Sequence, residues 1–194
     1  MPKAKRKKSP PVPPVYKLTP RGEEVSHGLV DSGARTSSVT GALREPSTVE
    51  AGRYDLIPPE AFEAVACSRF SNTLQAAEAN LANGLRYGSY PMIGSFIAYV
   101  VEHELRGWHR IAVHYARGAL KYADRNWEKG LETGRTVSSL YRHLDKAKRG
   151  LVDEDHWAAA SWNAIALINH LPRLKAGTLP RELDTYGLLA RAGA

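Results

Sequence analysis

From Pro59 onward the apolar positions of this chain recur at helical spacing, and glycines and prolines punctuate them. Phe62, Val65, Ala66, Phe70 and Leu74 carry one face, so a first helix is predicted over Pro59–Asn83, broken after it by Gly84, Gly88 and Pro91. A second stripe runs through Ile93, Phe96 or Ile97, Val100, Glu104, Gly107 or Trp108, Ile111, Tyr115 and Gly118 and predicts a helix over Met92–Ala123. A helix of that length would span about 48 Å at 1.5 Å per residue. A break near Gly107 is therefore expected. Thr136–Lys148 and Asp155–Leu171 complete the set, with Gly150 and Pro172 as stops. The last of these, with Trp157, Ala160, Ala164, Ile165, Leu167 and Ile168, is apolar nearly all round, the pattern of a buried helix. Nothing reads as a hairpin or a βαβ unit, so the expected class is an all-α bundle.

The flanks differ. Residues 1–25 are basic and proline-rich, with Lys3, Lys5, Arg6, Lys7 and Lys8 followed by Pro10, Pro11, Pro13 and Pro14; they read as a flexible tail. Residues 26–58 show no sustained period and read as an extended loop or arm, in which Ser38–Ala42 and Arg44 offer hydroxyls and a guanidinium to a phosphate. The helical domain is expected over 59–172, and 173–194 as an irregular tail with one turn around Leu183–Leu189.

Charge changes this picture only in part. The net charge is +7, but seven of the 27 Lys and Arg residues fall in the first 21 positions. A basic tail of this kind suits weak nucleic-acid contact or simple solvation. The single cysteine, Cys67, permits no intrachain disulfide, fits a cytoplasmic setting and is expected as a buried small hydrophobe. No apolar run reaches the length of a membrane span.

Two stretches carry candidate chemistry. Gly118–Gly130 concentrates Lys121, Tyr122, Arg125, Asn126 and Trp127 where a helix is about to stop, a mixture suited to a phosphate-bearing, stackable ligand. Asp153, Glu154, Asp155 and His156 stand ahead of the apolar helix. Caps account for one or two such acids, and hard divalent ions such as Mg²⁺ or Mn²⁺ bind carboxylate oxygens. His143 lies one helix earlier. His156, Asn163 and His170 are spaced by seven and form a polar stripe that either bonds within the core or lines a site. Glu104 is a carboxylate in an apolar stripe, open to a salt bridge with Arg106 or to a metal. Glu60 and Glu63 read as first-turn acids or as a metal pair.

The strings S-V-T-G-A-L-R (Ser38–Arg44), R-Y-D-L-I-P-P (Arg53–Pro59), K-Y-A-D-R-N-W-E-K-G (Lys121–Gly130), Arg142-His143, D-E-D-H (Asp153–His156) and Trp162-Asn163 together resemble a phage-encoded family of dATP/dGTP diphosphohydrolases. That family is distantly similar to the MazG-like all-α nucleoside triphosphate pyrophosphohydrolases. The resemblance implies a MazG-like bundle that cleaves a deoxynucleoside triphosphate to monophosphate and pyrophosphate with Mg²⁺ or Mn²⁺, shaping a phage nucleotide pool in the host cytoplasm. A homodimer or homotetramer is expected as well, since short helical bundles often complete a site between subunits. In this reading Asp155, Glu154 and His156, with Glu104, Glu63 or His143, hold the metal, and Glu154 takes the proton from water. Lys121 and Arg125 neutralise phosphate, Asn126 reads a base edge, and Trp127 or Tyr122 stacks; Arg44 and Asn163 are further substrate contacts. Two departures stand out. The segment 68–115 reads as an inserted helical hairpin, and the MazG-like pairing of E-x-x-E with E-x-x-D is present only as Glu60 and Glu63. The competing reading is a basic helical nucleic-acid-binding or virion-associated protein without catalysis. It leaves the D-E-D-H cluster unexplained.

Overall fold

The computed structural model describes residues 36–37, 43–44, 48–68, 71–103 and 107–191. The chain divides into two units, residues 1–45 and 46–194. In the first, β1 (Thr36–Ser37) and β2 (Leu43–Arg44) pair antiparallel, Thr36 opposite Arg44. The basic tail, the hydroxyl-rich stretch between the two strands and the Arg44 side chain lie outside the described residues.

The second unit is helical, as the hydrophobic pattern predicts. Its helices are α1 (Pro59–Ala66), α2 (Leu74–Tyr87), α3 (Tyr90–His103), α4 (Gly107–Tyr122), α5 (Thr133–Lys148), α6 (His156–Lys175) and α7 (Leu188–Arg191). The axis of the unit is α6, against which α1, α3, α4, α5 and α7 all pack. Ile165, Leu167, Ile168 and Leu171 are fully buried there. Each contributes about 1.5–3 kcal/mol by leaving water. This is the helix that reads as apolar nearly all round, and most of its residues are buried.

Several boundaries differ from the sequence reading, each for a local reason. The predicted Pro59–Asn83 helix is two helices. Asn80 donates to the hydroxyls of Ser71 and Ser95, 3.0 and 3.1 Å away, which ties the connection to α3. Thr73 then caps α2 by accepting from the Ala76 amide at 3.2 Å. Gly84 does not end α2. A Cβ there would lie 2.7 Å from the Ile93 side chain, so its role is to let α2 and α3 pack closely. Gly88, in the left-handed region, ends the helix, and Pro91 falls in the first turn of α3, where its missing N–H costs nothing.

The break near Gly107 is present. A Cβ on Gly107 would come within 2.5 Å of the Val101 backbone, which requires the chain to fold back between α3 and α4. Pro172 does not stop α6, which continues to Lys175. One backbone hydrogen bond is lost there, while Leu171 and Leu174 on either side stay buried. The C-terminal segment is docked rather than loose. Leu179 and Leu188 are buried, and Asp184 accepts from the Leu188 and Leu189 amides at 2.8 Å each to start α7. Cys67 is exposed, not buried: it is the residue after α1, beyond the last turn that packs inward. Among the described residues no helix is long and apolar enough to cross a membrane.

Candidate functional site

The segment Gly118–Gly130 turns sharply at the end of α4. Ala123 and Arg125 both take positive φ, 74° and 55°, a conformation uncommon for residues with a side chain. Partners outside the turn hold it there. Arg125 donates to the Asp55 carbonyl at 2.6 Å and pairs with Glu128 at 2.6 Å. Arg53 binds Asp55 at 2.7 Å and Asp124 at 2.8 Å, while its own amide donates to the Ala112 carbonyl on α4. These bonds raise the Arg53 pKa, chiefly through Asp55, and hold the Asp55 carboxyl low through Arg53. The 3₁₀ turn Asn126–Lys129 follows and carries Trp127 inward. Arg53 and Asp55 therefore brace the turn.

A cavity of about 540 Å³ lies between this turn, α4 and α6. Its inner wall is aromatic: Tyr115, Trp127 and Trp162, with His114 beside them. Trp127 meets Tyr115 and Trp162 edge-on, with centroids 5.9 and 6.2 Å apart, and His114 lies 6.0 Å from Trp162. Burial keeps the His114 imidazole below its ordinary pKa and so uncharged at neutral pH. The rim carries Arg117, Lys121, Tyr122, Arg125 and Asn126. Lys121 is exposed, with its Nζ 4.9 Å from the centre of the Tyr122 ring, and that neighbour raises its pKa. One acid, Glu154, closes the lining.

Glu154 also belongs to a second group. His143 on α5, Glu154 just ahead of α6 and His156 at its first position present one ligand atom each, all within 4.8 Å of one another. His143 Nδ1 and His156 Nδ1 are 3.1 Å apart, and His143 Nδ1 is 3.8 Å from a Glu154 oxygen. His156 is buried, and its Nε2 donates to Asp153 Oδ1 at 2.8 Å. The other Asp153 oxygen accepts from Lys146 at 3.0 Å. His156 and Lys146 together pull the Asp153 carboxyl down to about 2. Burial lowers the His143 pKa against the opposing pull of Glu154, so this imidazole offers a lone pair at neutral pH.

Of the residues singled out in the sequence, Lys121, Tyr122, Arg125, Asn126, Trp127 and Glu154 converge on the cavity, and His143, Glu154 and His156 on the donor group. Others are placed elsewhere. Asp155 accepts from Arg110 through both oxygens at 2.7 Å and caps α6 through the Ala158 amide. Burial opposes its ionisation, but Arg110 and that amide outweigh burial and hold its pKa low. It shapes the start of the helix and is not in the donor group. Asn163 is buried and donates to the Ala159 carbonyl of its own helix at 2.8 Å, away from the cavity lining. Glu63 is exposed on α1, outside both groups. Glu104 and Arg106 lie outside the described residues. Trp127 is only 8% exposed, so it forms the wall of the cavity and Tyr122 is the ring left free at its mouth.

The sequence reading passed over Arg117 and Trp162. Each had a signal. Arg117 lies four residues before Lys121 and three after His114, which puts all three on one face of α4. Trp162 precedes Asn163 in the quoted W-N pair and stands out as a large ring within an alanine-rich turn of α6.

The fold and site thus define an all-α bundle with a basic, aromatic-walled cavity and an imidazole–carboxylate donor group that share one acid. Residues 103–177, spanning α4, α5 and α6, match the family described as dATP/dGTP diphosphohydrolase, N-terminal, the family that the motifs resemble. The match begins inside the stretch 68–115 that reads as an insertion, and it leaves out α1 and α2. No curated protein and no solved structure matches the chain.

Proposed function

We propose that the protein is a metal-dependent deoxynucleoside triphosphate pyrophosphohydrolase, acting on dATP or dGTP to give the monophosphate and pyrophosphate. The observation that carries this reading is that Glu154 lines the cavity and belongs to the donor group as well. A triphosphate seated in the cavity would have its phosphates beside both the cations of α4 and the candidate metal ligands. The family description supports the substrate class.

Each part of the cavity suits one part of such a substrate. The aromatic wall of Tyr115, Trp127 and Trp162 gives a purine a face to pack on, with Tyr122 at the mouth. Lys121 and Arg117 offset the charge of the β and γ phosphates and of the departing pyrophosphate. Arg125 is already bound to Asp55 and Glu128, so its main part is to hold the turn that presents Lys121 and Asn126. His143, Glu154 and His156 would hold a divalent ion, which supplies a Lewis acid for the α-phosphate and a bound water of lowered pKa. His114, uncharged and sharing the cavity lining with Glu154, would accept a proton from an attacking water. This shifts the base role from Glu154, which the donor group occupies.

The test is a panel of ribo- and deoxynucleoside triphosphates incubated with the protein and Mg²⁺ or Mn²⁺, with products separated. Monophosphate plus pyrophosphate is expected. Release of orthophosphate would replace this reading with phosphatase chemistry, and salt-dependent DNA binding without turnover would favour the nucleic-acid-binding alternative.

A further inference from the structure

The donor group carries an inference about which metal it takes and what holds it ready. We infer that His143, Glu154 and His156 form a site for a first-row transition ion, Mn²⁺ rather than Mg²⁺, and that Asp153 is its positioning residue. This rests on the metal-dependent reading above and sharpens it.

The donor types come first. Two of the three ligand atoms are imidazole nitrogens, and only one is a carboxylate oxygen. Mg²⁺ keeps an all-oxygen octahedron and sheds its waters reluctantly, whereas every first-row transition ion, Mn²⁺ the weakest binder among them, accepts imidazole nitrogen beside a carboxylate. Spacing comes second. Two nitrogens each about 2.1 Å from one ion lie about 3.0–3.4 Å apart, depending on coordination angle. The observed separation of the two Nδ1 atoms is 3.1 Å, a hydrogen bond from His143 to His156 whose proton a cation would replace without the rings having to move apart. Glu154, 3.8 Å from His143 and 42% exposed, needs only a side-chain adjustment to complete the group.

Orientation is the third and most informative point. An imidazole has two nitrogens, and only the unprotonated one binds metal. The ionised Asp153 carboxylate accepts from His156 Nε2 at 2.8 Å, which fixes the proton on Nε2 and leaves the Nδ1 lone pair directed at His143. Lys146 holds the other oxygen of Asp153, so this acid is occupied and does not itself ligate. A carboxylate behind a metal-bound histidine is the usual way such a ring is oriented, and removing it typically weakens metal binding about 10–100-fold. His170, on the same helix, bonds a backbone carbonyl and has no second ionisable donor facing it among the described residues.

The experiment uses the full chain, freed of metal with a chelator, and titrates MnCl₂ or MgCl₂ alone, read by calorimetry and by the Mn²⁺ electron paramagnetic resonance signal. The expected result is one Mn²⁺ per chain, bound at least tenfold more tightly than Mg²⁺. Asp153→Asn should weaken Mn²⁺ about 10–100-fold while the circular dichroism spectrum is kept. Asp153→Glu should recover part of the loss. Glu154→Gln, at an exposed position, should also weaken binding, and it keeps the test decisive if the Asp153 variants misfold. Equal or tighter Mg²⁺ binding, or unchanged Mn²⁺ affinity in Asp153→Asn, would overturn the inference. The two readings fail separately: Mn²⁺ bound as described without pyrophosphate release keeps the metal site and sinks the enzymatic reading. Turnover with Mg²⁺ and no Mn²⁺ preference does the reverse.

Discussion

His156 and His170 are buried histidines fourteen residues apart on one helix, and they have been given opposite tasks. His156 sits at the start of α6 among side chains from other turns: Asp153 on one nitrogen, His143 on the other, Glu154 nearby. His170 sits near the far end, against the Trp127 ring at 5.8 Å, and bonds the Trp127 carbonyl at 3.2 Å. Its Nδ1 has no partner among the described residues. One histidine is wired to ionisable groups that a cation would draw together. The other pins the turn that forms the cavity wall. Spacing along the helix is the same for both; only the partners tell them apart.

The largest expected effect breaks this comparison directly. His156→Asn should reduce triphosphate turnover at least about 100-fold, since metal ligands and their partners act as a unit, with the protein still folded. His170→Asn should leave turnover per folded molecule within about threefold and lower stability by about 1–3 kcal/mol, the cost of a lost buried hydrogen bond. Steady-state kinetics beside urea unfolding would show it. If the two variants trade places, the assignment of site and support is reversed.

Next come the two halves of the cavity. Lys121→Ala should lower kcat/KM about 10–100-fold, as expected for a charge-assisted contact to phosphate. Trp162→Ala should raise KM about 5–100-fold, in line with one lost base-stacking contact. Inorganic tripolyphosphate separates them: with no base to stack, the Trp162 effect should vanish and the Lys121 effect should remain. Equal losses on both substrates would mean that Trp162 only supports the fold.

These pairs also show what could be read from the sequence. The helices of the bundle were legible because burial repeats at helical spacing, most clearly along α6. The converging residues of Gly118–Gly130 were legible because a packing helix has no use for so many polar and aromatic groups. A cap was legible among the acids ahead of α6, but the pairing of Asp155 with Arg110 was not, because Arg110 lies 45 positions earlier and no periodicity links them. Gly84 reads as a breaker in one dimension and as a close helix contact in three. His143 and His156 were both noticed, but only folding α5 against α6 puts their nitrogens 3.1 Å apart.

A smaller effect tests Asp155. If it caps and pairs, Asp155→Ala should cost about 0.5–2 kcal/mol from the lost cap alone and keep Mn²⁺ affinity within a few-fold. Calorimetric Mn²⁺ titration with a thermal melt distinguishes this from a ligand role, in which affinity would collapse and the melt would barely move.

The smallest expected effect is on the slope of stability against pH, and it returns to His170. Burial lowers its pKa below the ordinary 6.5, and Arg173 adds to this, against the opposing Trp127 carbonyl and Glu128. The unfolded chain therefore takes up the proton first. The stabilisation is fully present above about pH 6.5 and is lost as pH falls through the lowered folded-state value. His114 and His143 shift the same way through burial, so the wild type should lose stability below pH 6.5 through all three. Asp153 acts in a separate window: its carboxyl sits at about 2 against an ordinary 3.8, so its contribution persists until the pH falls below 4. His170→Gln should flatten the slope just below pH 6.5 and leave the Asp153 contribution below pH 4 unchanged. Urea unfolding at half-unit pH steps would measure this. An unchanged slope would mean that His170 is already free to take its proton in the folded protein, and the contrast between the two ends of α6 would then rest on geometry alone.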